Sequence, residues 1–204
     1  MNMKQALTVG CGGGAGSAIV DTLIQNGYSV TNIGATANAT CKNIEIQWKD
    51  LQVSNLHKIS RFNEQFDFVF FNQNGSSLDQ TAFDPGNSDT LTTWKLIKDW
   101  QHTHWISCQM PFLLLNNLRK NLTPKSKIGW MLSSTMFWDR EDSDQFPDYS
   151  SQKYFNYLSM KCFGKHYQTF GIMPNFSAPG SIEKLKNIVT QVCTESVNCH
   201  VFKC

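Results

Sequence analysis

The chain has 204 residues, of which 41% are hydrophobic and only 17% charged, with 14 Phe and 6 Trp. A chain so rich in aromatics and poor in charge can bury a sizeable core, which excludes disorder and removes any need for a disulfide or metal staple. The net charge of +2 supplies no basic cluster of the kind nucleic acid demands, and no apolar run is long enough to span a bilayer. The 7 Cys are odd in number, irregular in spacing and lack a C-x-x-C pair, so they read as free thiols of a reducing, cytoplasmic compartment.

In chain order the pattern alternates between strand and helix. Ala6 to Val9 is predicted as a short apolar strand ending in glycines. Ala15 to Asn26 has helical spacing and stops at Gly27, a residue suited to the left-handed turn past a helix end. Tyr28 to Ile33 is a second strand closed by Gly34, and Ile44 to Trp48 a third. Leu51 to Phe66 is predicted as a helix, and Phe66 to Phe71 as the central buried strand. A polar loop from Asn72 to Thr92 leads into a long helix, Trp94 to Asn121, with a kink expected at Pro111. Lys127 to Leu132 is a strand, and Thr135 to Pro147 a charged loop. Ser150 to Tyr167 is a helix with Phe155, Leu158 and Cys162 along one side. Gly171 to Phe176 reads as a strand interrupted by Pro174, Ser181 to Thr194 as a helix, and Cys199 to Lys203 as a last strand. The pattern is that of an α/β protein with a doubly wound, Rossmann-type parallel sheet in three layers, built as a single domain over residues 1–204.

The run Gly10-Cys11-Gly12-Gly13-Gly14-Ala15-Gly16 joins the first strand to the first helix. These glycines also break the apolar start, which argues against a signal peptide. Glycines in this position permit a turn closed to other residues and a close approach to a pyrophosphate, and the helix that follows points its free N–H groups at the phosphates. Two registers fit, Gly10, Gly14 and Gly16 or Gly10, Gly13 and Gly16. Cys11, inside this loop, reads as a small residue filling a turn.

Tyr149 and Lys153 lie four apart, on one face of the predicted helix. A phenol is a poor acid at neutral pH, and a neighbouring ammonium lowers its pKa toward a useful range. Upstream, the strand ending in Ser133 and Ser134 puts a hydroxyl where open α/β sheets bind ligands, and Ser134 is the candidate partner of Tyr149 on a substrate oxygen. His57, His102, His104, His166 and His200 are scattered, and no metal site is read from them. Asparagine is abundant, and no function is drawn from it.

With these motifs in order, the sequence resembles the short-chain dehydrogenase/reductase family over nearly its whole length. Gly10, Gly14 and Gly16 match the family's cofactor loop, and Asp50-Leu51 the adenine-contacting position after the third strand. Asn72-Gln73-Asn74-Gly75 resembles its N-N-A-G, and Ser134, Tyr149 and Lys153 its catalytic serine, tyrosine and lysine. Asn175 to Gly180 matches the N-x-x-x-P-G after the sixth strand. The resemblance implies an NAD(P)-dependent carbonyl reductase or alcohol dehydrogenase with a small-molecule substrate. The implied cofactor contacts are Gly10, Gly12, Gly13, Gly14, Ala15, Gly16, Gly34, Ala35, Asp50, Leu51, Asn72, Gln73, Asn74, Gly75, Tyr149, Lys153, Pro179, Gly180 and Ile182. Phe137 and Trp138 are candidates for the substrate pocket, and a homodimer or homotetramer is implied through the two long helices.

Four departures stand out. Ser107 occupies the place of the family's helix asparagine, Lys184 that of a threonine near the nicotinamide amide, and the helix between the second and third strands shrinks to Ala35–Lys42. The segment that usually covers the substrate is nearly absent. No acid at Gly34, Ala35 or Thr36 would repel the extra phosphate of NADP, and Lys42 is close in sequence, so the choice between NAD(H) and NADP(H) leans to NADP(H). The alternatives are a cofactor-binding regulatory or sensor protein that has lost turnover, and an epimerase or dehydratase of the extended branch of the family.

Overall fold

Strands separated by helical crossovers pair in parallel, and the computed structural model contains a seven-stranded, all-parallel sheet. Its strands are β1 (Lys4–Val9), β2 (Tyr28–Gly34), β3 (Lys42–Glu45), β4 (Phe68–Phe71), β5 (Lys127–Met131), β6 (Gln168–Met173) and β7 (His200–Lys203). Their spatial order is β3-β2-β1-β4-β5-β6-β7. The helices are α1 (Ala15–Gln25), α2 (Met110–Asn117), α3 (Pro147–Phe163) and α4 (Ser181–Thr194). The structure describes residues 3–47, 56–57, 61–73, 98, 100–136 and 147–204. Among these residues no helix is long and apolar enough to cross a membrane.

Successive strand residues point to opposite faces, and two cores result. Leu7, Val9, Val69, Phe71, Ile128 and Trp130 pack with Met110, Leu114, Met160 and Phe163 of α2 and α3. Ala6, Phe68, Phe70, Phe170 and Ile172 pack on the other face with Ile19 and Leu23 of α1 and Leu185 and Val189 of α4. Helix, sheet and helix form the three layers expected.

Several boundaries move, each for a local reason. β3 begins at Lys42 rather than Ile44, because residues 35–41 form a turn and bends with no helix. Asn43 holds this turn, accepting from the Asn38 N–H at 2.8 Å and donating to the carbonyls of Asn38 and Cys41. Residues 61–66 are irregular, not helical. Phe62 and Phe66 both turn into the core with rings 4.9 Å apart. Asn121 then satisfies the backbone a helix would have satisfied, donating to the carbonyls of Phe62 and Glu64 and accepting from the Phe66 N–H through its own carbonyl. β6 ends at Met173, one residue before Pro174, which has no N–H for the ladder.

The long helix expected to kink at Pro111 is distorted just before it. Trp105–Gln109 is a π-helical turn, and Met110 donates to the Trp105 carbonyl. A proline ring crowds the carbonyl four residues back, here Ser107, and the wider turn relieves that crowding. The α-helix ends at Asn117 and a short 3-10 turn covers Arg119–Asn121.

α3 starts three residues earlier than predicted and ends at Phe163. Proline suits its first position, where an N–H would go unused. Its expected apolar side is the outer one. Leu158 is 48% exposed, whereas Lys153, Asn156, Met160 and Phe163 are buried.

Gly129 is one of the tightest points of the sheet. A Cβ there would lie 2.3 Å from Phe170 and 2.5 Å from Phe70, whose rings are 5.9 Å apart in the core. Gly129→Ala is therefore expected to destabilise the fold by about 1–3 kcal/mol through overpacking, read as a lowered midpoint in urea.

Candidate active site

In a parallel sheet all carboxyl ends share one edge, and ligands bind where the strand order reverses. Here that point lies between β1 and β4, since the chain runs outward from β1 to β2 and β3 and then returns to β4. The glycine loop leaves β1 at this point, with the end of β4 beside it. Asn72 ties them together, its N–H on the Val9 carbonyl at 2.9 Å and its side chain on the Gly10 carbonyl at 2.9 Å.

The loop contains two kinds of glycine. Gly10, Gly12 and Gly16 have no room for a side chain, since a Cβ would meet Gln73 Cα at 2.8 Å, Thr36 O at 2.1 Å and Cys11 Cα at 2.5 Å respectively. Gly13 and Gly14 face open space. Gly14 adopts φ 55° and ψ −132° and caps α1, a conformation closed to L side chains, whereas Gly13 has no positive φ. The backbone therefore requires glycine at Gly10 and Gly14, and not at Gly13. Ala15, at the start of α1, completes an open cradle over a helix N-terminus.

A polar network behind the loop holds it in place. Asn32 accepts from the Cys11 N–H at 3.1 Å and from Thr8 Oγ1 at 3.2 Å. Asn38, only 4% exposed, donates to the Cys11 carbonyl at 3.1 Å. Both connect to Asn43. The asparagines given no weight in the sequence thus fix the loop, two from strands β2 and β3 and one from the turn between them. Cys11 itself is fully buried, and desolvation raises its thiol pKa, as suits a residue that only fills a turn.

Further along the same edge, β5 ends beside α3. Ser133, one residue before the expected Ser134, lies near enough to the Tyr149 phenol to oppose the rise in its pKa. Ser133 Oγ accepts from Thr135 N at 3.3 Å and Thr135 Oγ1 at 3.1 Å. Ser134 opens the 3-10 turn Ser134–Met136. Lys153 is 2% exposed, donates from Nζ to the Met131 carbonyl at 2.9 Å, and lies 5.3 Å from the centre of the Tyr149 ring.

The electrostatics differ from the expectation of a tyrosine made acidic by its lysine. Burial raises the Tyr149 pKa, with Ser133 opposing it. Burial also brings the Lys153 pKa down to about 7, with Cys108 nearby opposing the shift. Desolvation favours both neutral forms, so around neutral pH the phenol keeps its proton and the amine is poised to gain or lose one.

Ser107 is buried in the π-helical turn. Gln73, 6% exposed, reaches that turn through Nε2 to the Ile106 carbonyl at 3.5 Å, while its buried Oε1 has no partner among the described residues. Gly34 ends β2, followed by exposed Ala35 and Thr36. Lys42, the expected phosphate ligand, pairs with Thr31, three residues back from Gly34. Pro179 and Gly180 are exposed, Gly180 caps α4 with φ 75°, and Ile182 is 41% exposed in the first turn. Lys184 lies in that turn too, with its N–H on the Gly180 carbonyl at 3.0 Å. Asp50, Leu51, Asn74, Gly75, Phe137 and Trp138 lie outside the described residues.

No protein-family model and no curated protein matches the sequence. Solved structures do match. A short-chain dehydrogenase family protein from Francisella tularensis superposes with a TM-score of 0.77 at 15% identity, over 99% of this chain and 97% of its own. A carbonyl reductase from Pseudomonas aeruginosa gives 0.76 at 14% identity over 98% and 95%. BdcA in complex with NADPH gives 0.73 at 13% identity over 98% and 92%. The chain has the fold of the short-chain dehydrogenases and reductases.

The lowered Lys153 pKa also bears on stability. An unfolded lysine binds a proton up to pH 10.5, but the folded one releases it near 7. Between those values the unfolded chain holds more protons, so stability rises with pH, by up to about 1.4 kcal/mol per unit from this group. Below pH 7 that contribution is gone. Lys153→Met is expected to flatten the slope between pH 7 and 10, measured by urea unfolding at each pH. An unchanged slope would mean that Lys153 is hydrated.

Proposed function

We propose that the chain is a nicotinamide-dependent oxidoreductase of the short-chain dehydrogenase/reductase type, interconverting a carbonyl and an alcohol on a small molecule. The observation that carries this reading is the buried Lys153 ammonium 5.3 Å from the Tyr149 ring, on the edge that also bears Ser133 and the glycine cradle. The cradle fits a dinucleotide. Gly10, Gly12 and Gly16 bring the backbone close, while Gly13 and Gly14 leave space above the N-terminus of α1, where N–H groups would hold a pyrophosphate. Gly34 and Ala35 would border the adenosine ribose, Asp50 and Leu51 the adenine, and Asn72 to Gly75 the middle of the cofactor. Pro179, Gly180 and Ile182 would border the nicotinamide.

When bound, the nicotinamide supplies or accepts the hydride. In reduction Tyr149 gives its phenolic proton to the carbonyl oxygen as the hydride arrives at carbon, and in oxidation it takes that proton back. Ser133 directs its hydroxyl at the same oxygen and steadies the charge that develops there. Lys153 Nζ, with a pKa near 7, replaces the proton that Tyr149 gives up, and Ser107 would hold a water on that route. The raised Tyr149 pKa keeps a proton available at neutral pH, which suits the reductive direction. Phe137 and Trp138 are read as substrate contacts.

A cofactor-binding protein without turnover is the second reading, favoured by Ser107 in the place of the expected asparagine. The two readings separate on a panel of aldehydes and ketones with NADH and NADPH. Turnover is expected in the wild type, and Tyr149→Phe is expected to lower it by roughly 10²- to 10⁴-fold with cofactor affinity unchanged. Ser133→Ala is expected to cost more in kcat/KM than Ser134→Ala. Full turnover by Tyr149→Phe would sink the mechanism, and binding without turnover on any carbonyl would favour the second reading.

The same reading implies self-association through the outer faces of α2 and α3, where Phe112, Tyr154 and Leu158 are 39%, 38% and 48% exposed. Leu158→Arg is expected to convert a dimer or tetramer to smaller species in analytical ultracentrifugation, whereas a monomeric wild type would remove this part of the proposal.

A further inference from the structure

We propose that Glu45 makes this protein select NAD(H) and reject NADP(H). The inference rests on the dinucleotide reading above. In glycine-loop folds a carboxylate about 20 residues past the loop receives hydrogen bonds from the ribose hydroxyls and repels a 2′-phosphate. That distance from Gly14 leads to Gly34, which has no side chain. The neighbouring strand carries the charge instead.

Gly34 pairs with Glu45 across the parallel ladder. Paired residues in a ladder share a face of the sheet, and the next pair on that face, Asn32 and Asn43, joins side chains at 3.5 Å. Ile44, between them, packs on the opposite core. Glu45 therefore stands on the side of the glycine loop, one strand spacing from Gly34, about 4.8 Å. From Gly34 that side leads straight to the loop, since a Cβ there would lie 3.8 Å from Gly10 Cα.

The surroundings leave this carboxylate in command of the rim. Ala35, Thr36 and Ala37 are small and exposed, so among the described residues no large side chain from this turn intervenes. The Thr36 carbonyl oxygen, packed over Gly12, is a second acceptor for a ribose hydroxyl. Lys42 starts three residues back from the strand end, about 10 Å along β3. Among the described residues the ion pair is Lys186 with Glu183, on α4, and none engages Glu45. Two oxygen acceptors with no cation beside them among the described residues welcome hydroxyl donors and disfavour a phosphate dianion.

Titrating the whole protein with NADH and with NADPH, followed by nicotinamide fluorescence, tests this. The wild type is expected to bind NADH at least about tenfold more tightly. Glu45→Gln should narrow that ratio mainly by improving NADPH binding, and Glu45→Lys should reverse it. The discrimination should also shrink as salt is raised, because the repulsion is screened. Glu45 is exposed on an edge strand, so unchanged melting will establish that the variants fold. Tighter NADPH binding by the wild type, or a ratio unmoved by Glu45→Gln, overturns the inference while leaving the oxidoreductase reading intact. Binding of neither cofactor overturns both.

Discussion

Seven parallel strands oblige every return connection to cross a face of the sheet, and all the carboxyl ends consequently fall on one edge. Everything with chemical potential in this protein follows from that constraint. The glycine loop leaves β1 there, Asn72 and Gln73 leave β4, Ser133 follows β5, and Pro179 and Gly180 follow β6. Residues far apart in sequence meet because the ladder aligns strand ends, and few direct contacts between the loops are needed to hold them.

The two halves of that edge are stabilised by opposite means. Behind the glycine loop, hydrogen bonds do the holding: Asn32 and Asn38 grip the Cys11 backbone, and Asn43 braces both. Around Tyr149 and Lys153, water is excluded and the charged states are disfavoured. A buried amine tied to the Met131 carbonyl carries a folding penalty that is full below pH 7 and fades as pH rises toward 10.5. The first half resembles a mould for a ligand's backbone, and the second a reservoir for a single proton.

Much of the architecture was legible in the sequence, since its punctuation coincides with backbone needs. α1 lies between Gly14 and Gly27, and α4 begins directly after Pro179 and Gly180, as those residues require. Where pattern alone was used, it misled. Phe62 and Phe66 have helical spacing but belong to an irregular segment stitched by Asn121. On α3 the usual rule is inverted, because the buried side contains Lys153 and Asn156 and the apolar Leu158 faces outward. Ser133 and Ser134 are indistinguishable in sequence, and only the turn after β5 decides which one meets the phenol. The tyrosine–lysine spacing was visible, but not how little water would reach it.

Gly12 narrows the routes by which this protein could diverge. Its Cα sits under the Thr36 carbonyl so closely that even a methyl group would collide with backbone. A lineage drifting toward a different dinucleotide therefore cannot begin by placing a basic side chain at that position, as the turn itself would have to be rebuilt first. Change is cheapest along β3, an edge strand with a solvent side and few neighbours to offend. Adaptation at this end of the molecule would be recorded in its outermost strand, while the glycine loop stayed constant.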